Sequence, residues 1–323
     1  MKAIIYENYG SPDVLQIADV EIPVPKDNEI LLKVRAASVN PYDWHFMRGT
    51  PYLLRLFAGL RKPKVTRLGA DVAGEVEAIG KNVTVFKPGD VVFGLCAGAF
   101  AEYACAAESG LVIKPGNITF DQAAAVPMAA LTALQGLRNK GHIHSEQKVL
   151  VNGAAGGVGT FAVQIAKTFG ADVTGICSTR NVDMVRSIGA DRVIDYTVEN
   201  FTKGDQRYDM IFDTIGNHSL SAYKRVLNPG GIHVGAGGQA DLWMIRTLGH
   251  ALKAFFVSMS GSRKFVGFLA KANKDDLIII QGFLESGKVK PVIDRRYSLS
   301  DVPEAVRYLE EGHAKGKVVI TLE

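Results

Sequence analysis

The chain has 323 residues, of which 47% are hydrophobic and 22% charged, and its formal net charge is +4. That length allows two domains of ordinary size, and that balance excludes a disordered or fibrous chain. No block of like charges is long, so composition makes no case for nucleic acid.

Read from the N-terminus, residues 1–6 alternate, and 29–36, 72–79 and 91–93 read as strands separated by turns at 80–82 and 87–90. Many short strands with Gly and Pro punctuation predict a compact, mainly β, barrel-like unit. Tyr52 opens an apolar segment that ends at Leu60 and is followed by Arg61-Lys-Pro-Lys64. It reads either as a lid over an apolar substrate or as packing surface.

From Thr119 the texture changes. An Ala-rich helix (121–125 and 129–137) leads into strands at 149–151, 173–176, 192–194, 210–213 and 231–235, with a sixth around 254–257. Strands alternating with helices predict a doubly wound parallel sheet, so the fold class is α/β. After Ser260 come a helix (275–286), a strand (292–297), a helix (302–311) and a last strand (317–322). These are too few to stand alone and are expected to complete the first domain. The division expected is therefore 1–121 with 261–323 for the mainly β domain, and 122–260 for the parallel sheet.

The turn after the first strand of that sheet is the most informative stretch. Lys148-Val-Leu-Val-Asn152 runs into Gly153-Ala-Ala-Gly-Gly-Val-Gly159, which opens a helix with Val158, Phe161, Ala162, Ile165 and Ala166 at helical spacing. Gly156 and Gly157 let backbone approach a pyrophosphate, and the free N–H groups of the helix start receive it. The six-residue frame has Ala154 where the dinucleotide pattern has its first glycine, so the flanking strand and helix carry the reading; a turn with no ligand is the alternative. The next strand, Asp172-Val-Thr-Gly-Ile-Cys177, ends in Ser178-Thr179-Arg180 with no carboxylate before Asp183. Two hydroxyls and a guanidinium suit a 2′-phosphate and so predict NADPH rather than NADH. The plainer alternative is a helix cap followed by a solvated arginine.

Cys96, Cys105 and Cys177 are scattered, and residues 1–7 lack the apolar run of a signal peptide, which together point to a reduced, cytoplasmic setting. The longest apolar passage, 242–259, is broken by Arg246, His250 and Lys253, so no membrane span is expected. His142 and His144 have only Glu146 beside them and read as surface loop residues rather than metal ligands.

The chain as a whole resembles the zinc-free medium-chain dehydrogenase/reductase superfamily, in the quinone oxidoreductase (zeta-crystallin-like) branch. The likeness spans Tyr9-Gly-Ser-Pro-Asp-Val-Leu15, Ala37-Ser-Val-Asn-Pro-Tyr-Asp43, Gly69-Ala-Asp-Val-Ala-Gly-Glu75, Lys87-Pro-Gly-Asp-Val-Val92, Gly98-Ala-Phe-Ala-Glu-Tyr103, the glycine turn and Gly316-Lys-Val-Val-Ile320. It implies a GroES-like catalytic domain, a Rossmann-like cofactor domain inserted in it, and an active site in the cleft between. It also implies that Tyr196 lies by the adenosine ribose, and that Ile215, Gly235, Ala236, Phe256 and Val257 line the nicotinamide side.

Where zinc-dependent relatives have a Cys and a His, this chain has Asn40 and Ala70. An amide and a methyl cannot replace a thiolate and an imidazole, so no metal is expected. Hydride transfer to an already electrophilic carbon, in a quinone or an enone or enal, is the chemistry that remains easy without a Lewis acid. Asn40, Tyr42, Asp43 and Tyr52 are the candidate catalytic residues, with a satisfied polar turn as the alternative for Asn40 and Asp43. A homodimer is a further expectation. A non-catalytic NADPH-binding partner and an RNA-binding protein of the zeta-crystallin type are the other functions considered; no basic stripe with interleaved aromatics supports the second.

Overall fold

The structure, a computed structural model, describes residues 1–236 and 262–322. The chain divides into two compact units, Met1–Leu131 with Ala272–Gly287 and Pro291–Glu323, and Thr132–Lys271 with Lys288–Lys290. The first boundary falls ten residues past the one expected because the helix Phe120–Ala124 packs on strands of the first unit instead of opening the second.

The first unit carries β1 (Lys2–Ile5), β2 (Gln16–Asp19), β3 (Glu29–Val39), β4 (Asp71–Ile79), β5 (Val91–Leu95), β6 (Tyr103–Ala107) and β7 (Leu111–Ile113). β3 is its spine. It pairs antiparallel with β4 on one side, and its first half pairs with β6 on the other. Alternating side chains of these strands (Ile30, Leu32, Val34, Val72, Val76, Val92) form its core with Tyr6 and Phe100.

The second unit carries β8 (Lys148–Asn152), β9 (Asp172–Cys177), β10 (Arg192–Asp195), β11 (Tyr208–Asp213), β12 (Leu227–Ala236) and β13 (Lys264–Phe268). All pair parallel, in the order β10-β9-β8-β11-β12-β13. Val149–Val151 and Met210–Phe212 are fully buried, as strands covered on both faces must be. The order reverses between β8 and β11, and in such sheets ligands bind beyond the carboxyl ends of the strands at that point.

β14 (Ile293–Ser298) and β15 (Lys317–Thr321) return to the first unit, where β15 pairs antiparallel with the second half of β3. The strand expected at 254–257 lies outside the described residues. The sixth strand seen is β13, at a place where the sequence reading had none.

Candidate functional site

The glycine turn is built as its spacing demands. Gly153 sits at φ +86°, the left-handed region where a side chain is strained. Gly156 is the N-cap of the helix Gly157–Thr168 and has no side chain to cap it, so the first N–H groups stay open to a ligand. A Cβ on Gly159 would lie 2.0 Å from the Gly153 carbonyl oxygen, whereas one on Gly156 would meet that oxygen at an ordinary 3.5 Å. Gly159 lets the helix seat on the turn, and Gly156 keeps the approach to it clear.

β9 delivers Ser178, Thr179 and Arg180 beyond its carboxyl end, with Thr179 and Arg180 exposed. Ser178 occupies the N-cap position of a short 3-10 turn (Thr179–Asn181), without a side-chain cap hydrogen bond. Tyr196 follows β10, is 59% exposed, and its N–H donates to the Cys177 carbonyl at 3.0 Å.

Sequence reading missed a buried network at the ends of β8, β11 and β12. Asp213 Oδ1 accepts from Asn152 Nδ2 at 2.9 Å and from the backbone N–H groups of Ile215 and Gly216 at 3.0 and 2.9 Å. Its other oxygen lies 3.0 Å from His233 Nε2, and since a carboxylate only accepts, that ring nitrogen is the donor. Burial alone would raise the Asp213 carboxyl, but His233 and these donors hold it well below the usual carboxylate range. The network fixes the backbone around Ile215, whose side chain is exposed, two residues beyond the Asp213 that pairs with Gly235 of β12. Phe256 and Val257 lie outside the described residues.

In the first unit, Asn40 and Asp43 begin the helix Pro41–Arg48 and form its capping box, with proline at the first helical position. Asp43 accepts from the N–H groups of Asn40 and Gly69 at 2.8 and 2.9 Å. Asn40 is tied on every side. Its Nδ2 donates to the Ser38 carbonyl (3.2 Å) and to Asp71 Oδ2 (2.9 Å), and its Oδ1 accepts from Lys317 Nζ at 2.5 Å. Asp71 also accepts from Ser38 Oγ at 2.7 Å and from the Met128 N–H at 2.9 Å, with Lys317 Nζ 3.4 Å away. All five of these polar side chains are buried, Lys317 being 4% exposed. The structure forms the satisfied polar turn, and both amide hydrogens of Asn40 are committed within it. Asp43, with both oxygens bonded to backbone, is a structural cap on the same ground.

Burial pushes the Asp43 carboxyl up to about 7, against the lowering effect of those two N–H donors and with Asp71 adding to the rise. A folded state that takes up a proton more readily than the unfolded chain loses stability as pH climbs between the two values. Asp43→Asn should accordingly flatten the fall in stability between about pH 4 and pH 7, seen as a smaller pH dependence of the denaturation midpoint. An unchanged slope would show that Asp43 does not titrate there.

Tyr42 and Tyr52 keep access to solvent. Tyr42 is 43% exposed with its ring 4.4 Å from that of Phe46, and its phenol is raised by burial and then by Asp43. Tyr52 is 75% exposed, and the Arg55 guanidinium lies over its ring and that of Tyr9. Leu53, Leu56, Phe57 and Leu60 are exposed beside it.

Comparison with known proteins agrees with this layout. Residues 26–116 match the alcohol dehydrogenase GroES-like domain, and residues 188–320 match the family described as zinc-binding dehydrogenase. The chain is 37% identical to 2-methylene-furan-3-one reductase of Solanum lycopersicum and 36% identical to the chloroplastic NADPH-dependent alkenal/one oxidoreductase of Arabidopsis thaliana, in each case over 99% of this chain and 79% of the relative. The quinone oxidoreductase structure from Coxiella burnetii superposes with a TM-score of 0.86 at 30% identity, covering 100% of this chain and 99% of that one. The zinc of the family description finds no donor set at Asn40 and Ala70: the amide oxygen is taken by Lys317 and the other residue offers a methyl group. Among the described residues, no cluster of three or more His, Cys, Asp or Glu could hold a metal ion, and no helix is long and apolar enough to cross a membrane.

Proposed function

The chain belongs to the medium-chain dehydrogenase/reductase superfamily, in its quinone oxidoreductase branch, and on that footing we propose that it is a zinc-free, NADPH-dependent reductase of quinones or α,β-unsaturated carbonyls. The observation that carries the zinc-free part is the bonding of Asn40, whose amide is locked to Lys317, Asp71 and Ser38 where a metal would need a free ligand. A quinone, or the β-carbon of an enone, is electrophilic as it stands, so reduction needs no Lewis acid to begin.

NADPH, when bound, supplies the hydride. The N–H groups of Gly157 and Val158 beyond Gly156 would receive its pyrophosphate, and Ser178, Thr179 and Arg180 its 2′-phosphate, with Tyr196 by the ribose. The backbone around Ile215, Gly235 and Ala236 would line the nicotinamide side together with Phe256 and Val257, and the Asp213 network holds Ile215 in place. With Asn40 and Asp43 committed elsewhere, the phenols of Tyr52 and Tyr42 are the donors left for the oxygen that gains charge. A cytoplasmic location, supported by three free cysteines, belongs to the same reading. So does a homodimer, for which β13 offers an edge: β12 is its one neighbour among the described residues.

The test is a label. NADPH deuterated at the transferred position should place deuterium on the β-carbon of an enone while the second hydrogen comes from solvent, with EDTA leaving the rate unchanged. Tyr52→Phe should lower turnover if its phenol is the donor and leave it alone if the segment only packs. Rapid, EDTA-resistant oxidation of a primary alcohol would overturn the assignment.

A further inference from the structure

Parallel pairing of β9 and β10 sets Asp195 opposite Cys177. The sequence has no carboxylate at the end of β9, yet the neighbouring strand brings one beside Ser178–Arg180. Asp195 Oδ1 accepts from the Thr197 N–H at 2.9 Å and from the Thr197 hydroxyl at 2.7 Å. Thr197 Oγ1 is in turn 2.9 Å from Thr179 Oγ1.

A hydroxyl has one hydrogen. Thr197 directs its own to Asp195 Oδ1, and the Thr179 hydroxyl also bonds that carboxylate, which can only accept, so the Thr179 hydrogen points inward. Thr179 therefore turns lone pairs outward, toward the space in which a 2′-phosphate would present only acceptors. Ser178 differs: its Oγ accepts from Asn181 Nδ2 at 3.2 Å and keeps its hydrogen for another partner.

We infer that Asp195 is a specificity-determining residue that tempers the preference for a 2′-phosphorylated dinucleotide, by drawing the Thr179 hydrogen inward and by setting a negative charge against Arg180. The inference rests on the NADPH reading above. The charge is present at neutral pH, since the Thr179 hydroxyl first, and then Thr197, hold the Asp195 carboxyl below the usual carboxylate range.

Asp195→Asn keeps an accepting oxygen and removes the charge, while Asp195→Ala removes both and so frees the Thr179 hydrogen. Each should tighten NADPH about two- to fivefold, the scale of a solvent-exposed ionic contact, and leave NADH unchanged. The readouts are equilibrium titrations by cofactor fluorescence, and displacement by 2′,5′-ADP compared with 5′-AMP, neither of which depends on turnover. Added NaCl should shrink the effect of Asp195→Asn.

Arg180→Ala separates this inference from the reading beneath it. It should weaken NADPH about tenfold or somewhat more, a charge-assisted hydrogen bond discounted for exposure, with little change for NADH. Equal losses of both cofactors, or no loss, in Arg180→Ala would remove the 2′-phosphate reading itself. If Arg180→Ala behaves as expected while both Asp195→Asn and Asp195→Ala leave NADPH unchanged, or weaken the two cofactors alike, Asp195 is a loop-holding residue and the inference is overturned.

Discussion

Lys317→Met should destabilise the first unit by about 3–5 kcal/mol, the usual result of leaving one member of a buried ion pair without the other. Asp71 is fully buried and Lys317 4% exposed, so water cannot take over the lost interaction. Ser38, Asn40 and the Met128 N–H would still donate to Asp71, which favours the lower end of that range. The Asn40 Oδ1 would lose its partner at the same time, which works the other way. Urea denaturation of the single variant and of Lys317→Met with Asp71→Asn gives the decisive comparison: the second change, harmful in the parent, should recover part of the loss in the variant. Loss of less than about 1 kcal/mol in the single variant would mean that the pair behaves like an exposed one.

The second large effect is expected at Gly159. An added Cβ would meet the Gly153 carbonyl oxygen at 2.0 Å and its carbon at 2.8 Å, both backbone atoms of a turn with little freedom to retreat. Gly159→Ala should therefore cost more than about 4 kcal/mol in the second unit and abolish tight NADPH binding. Gly156→Ala is the matched control. It has ordinary clearance and a negative φ of −81°, so thermal unfolding should be nearly unchanged while NADPH weakens, because the methyl faces the ligand. If both variants fold equally well, Gly159 is not the packing residue the distances make it.

These two sites differ in how far sequence shows them. The turn was legible because every determinant lies within about twenty consecutive residues: an apolar strand, glycines at fixed offsets, then apolar residues at helical spacing. The capping box was legible too, as the satisfied polar turn weighed for Asn40 and Asp43: Asn40-Pro-Tyr-Asp43 has the cap, the proline and the acid in their usual places. Lys317 was not. In the sequence it begins an apolar strand, and it meets Asn40 and Asp71 only through the pairing of β15 with β3 and of β3 with β4. Asp195 is hidden for a related reason, since it belongs to β10 and reaches the end of β9 only through the pairing of the two strands. β2, β6 and β7 are three to five residues long with mixed exposure, too short for alternation to register. In the second unit the strands β8, β9 and β11 were found because burial on both faces makes them continuous apolar runs.

The pairing of Ala37 with Ile320 also sets an order of events during synthesis. Thr132–Lys271 is nearly continuous, so it has almost all of its own contacts as soon as it leaves the ribosome. The first unit, begun earlier, must wait for β14 and β15. At about 5–20 residues per second, the stretch from Lys271 to Lys317 adds a few seconds. Through that interval Asp71 has no cation, and residues Ala36–Val39 of β3 present an apolar strand edge with no partner. Such an edge is a template for pairing with another chain. The nascent protein is thus most exposed to aggregation and to chaperones late in translation, after its nucleotide-binding sheet has formed. Variants that weaken β15 should lower soluble yield more than they lower the stability of the finished protein.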